Sequence, residues 1–218
     1  MLLKTFKRKD IILDIMNKKV LFPIELNESN RHKRDFLIGK FSKYVSLPNS
    51  DFLEIGIGNG RFGYLLGERV AHYYGIDVDE EYVRIAKTNV PQEVKVTYKV
   101  GDAEEIPFER KFDVVFYAQS WHFIKNFQKA FKGAERVLKL RGIVAILEPS
   151  ENSKNWASPK LRHDSPEFDE KLYQEKLQDL QRGRSAILGQ SLFDVVEDDY
   201  DKKTTLHFYV LRRNRELG

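Results

Sequence analysis

Leu53-Glu54-Ile55-Gly56-Ile57-Gly58-Asn59-Gly60-Arg61-Phe62-Gly63 is the stretch that decides how this chain folds. An apolar strand runs into three glycines at alternate positions. Phe62, Leu65 and Leu66 then take up the three-and-four spacing of a helix face. Glycines where a strand becomes a helix let the backbone turn tightly and approach a ligand closely, and the helix start offers unpaired N–H groups. The dinucleotide-binding fingerprint would need glycine at position 61, where Arg61 stands. The pattern is instead G-x-G-x-G with an acid, Glu54, two residues before the first glycine.

Outward from this turn, short apolar runs alternate with amphipathic ones. Strands are expected over 52–55, 72–76, 94–100, 112–117 and 143–147. Asp79 caps the helix that carries Tyr82, Val83, Ile85 and Ala86. Its first turn holds Glu80 and Glu81, where the helix dipole favours acids. Ile124, Phe127, Phe131, Ala134 and Leu138 mark another amphipathic helix, with Gly142 following it. Strands this apolar, separated by helices, are buried on both faces of a parallel sheet. Two more strands, 192–197 and 204–211, are separated only by the segment 198–203. That is too short for a crossover helix, so they are antiparallel neighbours. The expectation is a doubly wound α/β domain with a seven-stranded, mostly parallel sheet and an antiparallel last strand.

The flanks are read more coarsely. Residues 1–20 suggest a weakly amphipathic helix, and Ser29 caps a second one reaching about 45. A charged helix is expected over 166–181. The whole chain is one domain: a helical cap over 1–48, a cofactor-binding half over 49–150, and a C-terminal helix and hairpin over 151–218.

Composition limits the chemistry. The chain has no cysteine, which excludes disulfides, thiolate metal sites and cysteine nucleophiles, and favours a reducing compartment. No apolar run is long enough for a signal peptide or a membrane span, so the protein reads as soluble and cytoplasmic. Residues 1–50 carry 11 Lys/Arg against 5 Asp/Glu. Such a basic arm could meet RNA, a lipid surface or an anionic substrate, although a solvated helix face is the simpler reading. His32, His163 and His207 have no metal-ligand spacing, and no metal is expected.

Three further elements lie at carboxyl ends of strands, the sheet edge where ligands bind in this architecture. Asp77 ends the second strand, about 17 positions after Gly60, a distance at which nucleotide-binding α/β proteins place an acid on ribose hydroxyls. Gly101-Asp102-Ala103 follows the third strand, and Ala118-Gln119-Ser120-Trp121-His122 the fourth.

Taken in order, Glu54-x-Gly56-x-Gly58-x-Gly60, Asp77, Gly101-Asp102-Ala103 and the segment 112–122 resemble the successive motifs of class I S-adenosylmethionine-dependent methyltransferases, over about residues 50–150. The final antiparallel pair fits the same Rossmann-like fold. The resemblance implies that the turn of Gly56, Gly58 and Gly60 cradles the methionine part of the cofactor, with Glu54 near its ammonium group. Asp77, with Val78 beside it, would hold the ribose. Asp102 would meet the adenine amino group next to Ala103. Ala118 and Gln119 open a segment similar to that of small-molecule methyltransferases of the ubiquinone-biosynthesis and trans-aconitate kinds, where it lies beside the transferable methyl. Tyr117-Ala118-Gln119-Ser120 departs from the Asn/Asp-Pro-Pro-Tyr motif of enzymes that methylate bases and amides.

The function expected is methyl transfer from S-adenosylmethionine, leaving S-adenosylhomocysteine, to a small molecule at oxygen or carbon. His122 is the candidate base, since histidine titrates near neutral pH. Trp121, Trp156 and Tyr44 are candidates to wall an apolar pocket. Arg31, Lys33, Arg34 and Arg61 are candidates to meet a carboxylate or phosphate. Alternatives are an RNA or protein methyltransferase using the basic arm, a cofactor-binding protein without turnover, and, disfavoured by Arg61 and the last strand pair, a dehydrogenase.

Overall fold

The structure, a computed structural model, describes residues 24–214 apart from 152, 154–158, 162 and 164. The helix expected over 1–20 lies outside the described residues, as does Trp156.

Seven strands form one sheet in the order β3-β2-β1-β4-β5-β7-β6. They are β1 Asp51–Ile55, β2 His72–Asp77, β3 Val96–Val100, β4 Phe112–Ala118, β5 Leu138–Pro149, β6 Phe193–Asp201 and β7 Leu206–Arg213. The first five pair in parallel, and β7 runs antiparallel between β5 and β6. The doubly wound architecture with a reversed last strand is therefore as expected. β1 and β4 are almost wholly buried, which is why they read as unbroken apolar runs.

Helices cover both faces. α1 (Glu28–Phe41), α2 (Arg61–Leu66) and α3 (Glu80–Asn89) lie on one side. There Phe41 meets Phe52, Phe116 and Phe208 edge-on at 5.0, 5.3 and 5.7 Å, pinning α1 across the sheet. α4 (Phe127–Val137) and α5 (Glu170–Gly189) lie on the other side, where Phe131, Ala134 and Ile187 pack on Val115, Tyr117 and Ile146.

Several boundaries differ from the periodicity reading. Asn27, not Ser29, caps α1, its side chain accepting from Asn30 N at 2.9 Å. β5 begins at Leu138, so Gly142 sits inside a strand rather than after a helix. There a Cβ would meet Leu138 Cδ1 at 2.8 Å and Asp113 O at 2.9 Å, so close packing selects the glycine. The polar run Asp198–Asp201 extends β6 instead of forming the loop, because Glu197 and Asp199 take Lys40 of α1 as a common partner. α5 continues to Gly189, past the expected end at 181.

Candidate active site

The carboxyl edge of the sheet is stitched together by backbone groups. At the end of β1, Gly56 N and Ile57 N both donate to Ile76 O of β2, at 2.8 and 3.1 Å. Gly56, Gly58 and Gly60 have φ of 77°, 50° and 81°, all in the left-handed region that favours glycine. Gly58 N donates to Asp77 Oδ2 at 2.9 Å, and Asp79 N to Asp77 Oδ1 at 3.1 Å. Gly101 N donates to Asp77 O at 2.9 Å, which brings the Gly101-Asp102-Ala103 turn beside them. Asp102 is exposed, its Oδ1 accepting from Glu104 N at 2.8 Å, while Ala103 is buried. Val78 leaves an apolar side chain 68% exposed at this edge.

Two glycines of the turn differ in what surrounds them. A Cβ on Gly56 would lie 2.6 Å from Ser120 Cβ, so the turn after β1 is pressed against the segment after β4. A Cβ on Gly58 would have no atom within 4 Å. The backbone at Gly58 thus faces open space, the cradle a closely approaching ligand needs.

Beneath the turn, Glu54 is 1% exposed and accepts from Tyr73 Oη at 3.0 Å. Burial raises its carboxyl well above the ordinary range; Tyr73 and Arg61 oppose the rise, and Asp77 adds to it. Asp77 is also raised by burial, against the lowering effect of its backbone donors. Arg61, lowered by burial, has Glu54 as its nearby opposite charge. Lys33 of α1 is lowered by burial and by the charge of Arg61. Lys33 and Arg61 line one cavity of about 500 Å³ together with Asn27, Asn30, Asn59 and one acid, Glu25. Neither cation has an ion-pair partner among the described residues. Of the four cations singled out from the sequence, these two converge. Arg31 instead donates to Leu26 O, and Arg34 donates to Asp35 at 2.9 Å.

At the end of β4, Ala118 is buried and Gln119 has φ of 57°, uncommon for a residue with a side chain. Gln119 N donates to Leu147 O of β5 at 2.7 Å, and Ser120 Oγ donates to Ile55 O of β1. His122 is 4% exposed, its Nδ1 in a short hydrogen bond with Glu148 Oε2. The other Glu148 oxygen accepts from Trp121 N at 3.0 Å. Trp121 is fully buried, Nε1 donating to Gly183 O of α5 at 3.0 Å, and it lines a second cavity of about 420 Å³ with Glu148. Tyr44 does not join it. Its hydroxyl donates to Glu197 Oε2 at 2.6 Å and is pushed up to about 12, chiefly by burial.

The periodicity reading missed Glu148 and the second cavity. An acid ending an apolar strand at the ligand edge was the available signal; the α5 residues carried none, since that helix was ended too early.

Residues 53–146 match a family model described as a methyltransferase domain. That segment is similar to a methyltransferase domain, and the chain as a whole has the fold of solved methyltransferases. Solved structures with the same fold include the N-methyltransferase NodS from Bradyrhizobium japonicum in complex with S-adenosyl-L-homocysteine. It is 11% identical with a TM-score of 0.65, over 93% of this chain and 98% of that one. A methyltransferase from Clostridium acetobutylicum is 15% identical with a TM-score of 0.59, over 95% of this chain and 100% of that one. One from Aquifex aeolicus is 19% identical with a TM-score of 0.56, over 80% and 87%. No curated protein matches by sequence. Among the described residues no group of three or more His, Asp and Glu could hold a metal ion, and no helix is long and apolar enough to cross a membrane.

Proposed function

We propose that the enzyme methylates a small-molecule acceptor at oxygen or carbon, with His122 as the base. The observation that carries this reading is the buried His122–Glu148 pair, at the carboxyl ends of β4 and β5, whose Glu148 lines a cavity of about 420 Å³.

The residues fit the cofactor. The open side of Gly58 accommodates a close backbone approach, and Asp77 is raised by burial in a manner that added hydrogen-bond donors, such as ribose hydroxyls, would relieve. Val78 offers apolar surface beside it, and Asp102 and Ala103 complete the adenine end. Glu54 on one side, and Lys33 and Arg61 on the other, match an ammonium and a carboxylate, the two charges of an amino-acid end. Ala118 and Gln119 border the methyl.

Bound S-adenosylmethionine supplies a methyl group on a sulfonium, already a good leaving group. The protein's part is mainly placement, worth several kcal/mol by about 3 Å positioning of the nucleophile. Glu148 holds His122 Nδ1–H, which makes Nε2 the acceptor. Nε2 would thus be free to take the proton of an acceptor hydroxyl as that oxygen accepted the methyl group.

Replacing His122 by Ala is expected to lower kcat by about 100-fold or more, with KM for S-adenosylmethionine unchanged. Glu148→Gln, which keeps the shape, should lower kcat less and displace the acid limb of the pH–rate profile. Parallel loss of kcat and cofactor affinity in both variants contradicts a role in proton transfer.

A further inference from the structure

The cavity of about 420 Å³ between α5 and the ends of β5 and β7 is lined by residues with polar atoms that have no hydrogen-bond partner among the described residues. Ser150 is 6% exposed, and its Oγ is buried without a hydrogen-bond partner. His207 Nδ1 is also buried and unpartnered; the nearest acid oxygen, Asp198 Oδ1, is 3.9 Å away, beyond hydrogen-bond reach. Buried polar atoms are nearly always paired in native proteins, so two orphans on one cavity wall point to a group that arrives with a ligand.

Charge narrows what that ligand is. Glu148 is already committed, one oxygen to Trp121 N and the other to His122. Glu151 also lines the cavity, and it is exposed like Arg184, so water screens both charges. Arg184 of α5 lines it too and has no ion-pair partner among the described residues. Burial, and after it the charge of Arg184, holds His207 below the ordinary histidine range against the opposing pull of Asp198 and Glu151, so the ring is neutral and has one N–H to give. The uncommitted side chains are the Ser150, Tyr200 and Tyr209 hydroxyls, the His207 ring, the Glu151 carboxylate and the five N–H of Arg184, a set in which N–H and O–H donors predominate. Trp121, Leu180 and Ile187 make the remaining wall apolar.

We propose that this cavity receives the methyl acceptor and selects one that bears a carboxylate. Arg184, Ser150 and His207 hold the carboxylate, and the apolar body lies against Trp121, Leu180 and Ile187. Glu148 lies between this cavity and His122, which does not itself line it. The inference rests on the proposed function for its placement of the acceptor, and on the cavity alone for the charge preference.

The test uses the full chain, with and without S-adenosylhomocysteine. It is titrated by ligand-observed NMR with a panel of small acids and their primary amides, led by 4-hydroxybenzoate and 4-hydroxybenzamide, with tyramine as the cationic member. The acids are expected to bind at least tenfold more tightly than their amides. Arg184→Gln should abolish the preference and Ser150→Ala should reduce it, both with S-adenosylhomocysteine affinity kept within twofold. The proposal is overturned if no acid of the panel binds, if acids and amides bind equally, or if tyramine is preferred, in which case Glu148, Glu151 and Asp198 set the charge. Failure of the wild type to bind S-adenosylhomocysteine would count against the cofactor reading instead, and the charge preference would still be read from the titrations without it.

Discussion

Gly56 and Gly58 are two residues apart in one turn, yet the same substitution at each should damage different properties. Both have φ in the left-handed region, at 77° and 50°, so alanine costs about 1–2 kcal/mol at either. At Gly56 the new Cβ also lies 2.6 Å from Ser120 Cβ, well inside van der Waals contact. The neighbour cannot simply rotate away, because the clash is with its Cβ and Ser120 Oγ is bonded to Ile55 O. Overpacking of this kind costs roughly 1–3 kcal/mol more. At about 2–4 °C per kcal/mol for a chain this long, Gly56→Ala should lower Tm by about 5–15 °C and Gly58→Ala by only a few degrees. Binding should show the reverse emphasis. The Gly58 Cβ would project into the open space where the ligand approaches, so S-adenosylhomocysteine affinity should fall at least tenfold in a protein that is still well folded. Differential scanning calorimetry and titration calorimetry on the two variants measure both quantities. Equal Tm losses would refute the role given to the Ser120 contact, and unchanged affinity in Gly58→Ala would refute the cradle.

Two further variants test the electrostatics. In Glu54 the folded-state carboxyl is raised above its unfolded value, so the buried charge opposes folding at neutral pH, and the penalty fades as pH falls through the folded value. Glu54→Gln should therefore raise the Tm of the ligand-free protein at pH 8 by several degrees, with the gain shrinking toward pH 4, while S-adenosylhomocysteine binds more weakly; a gain independent of pH contradicts the assignment. Lys33→Ala and Arg61→Ala should each weaken S-adenosylhomocysteine about tenfold but leave 5′-methylthioadenosine, which lacks the amino-acid end, within twofold. Equal weakening of both ligands would show that the cations support the turn rather than a carboxylate.

The strands, their order of appearance and the reversed last strand were legible because two-sided burial writes itself as apolar runs, and because 198–203 is too short for a crossover. The four edge motifs were legible because glycines and acids at strand ends are conspicuous against those runs. The partnerships were not. Lys40 with Glu197 and Asp199 joins residues more than 150 positions apart, and that pairing turned an apparent loop into strand. His122 stood out as a base, but its Glu148 partner is fixed by the register of β4 against β5. Lys33 and Arg61 were two cations among several until the packing of α1 over the glycine turn placed them together. The unpartnered Ser150 Oγ and His207 Nδ1 are facts of three-dimensional satisfaction, with no trace in spacing or composition.

The most direct test of the site is calorimetric titration of the wild type and of Asp77→Ala with S-adenosylmethionine and S-adenosylhomocysteine. Asp77 receives Gly58 N and Asp79 N and lies where the ribose would sit. Losing hydrogen bonds to its charged group should cost about 1.5–3 kcal/mol, or roughly 10- to 150-fold in affinity. One-site binding by the wild type that weakens to that extent in the variant is the predicted result. No binding by the folded wild type, or equal affinity in the two proteins, would contradict it.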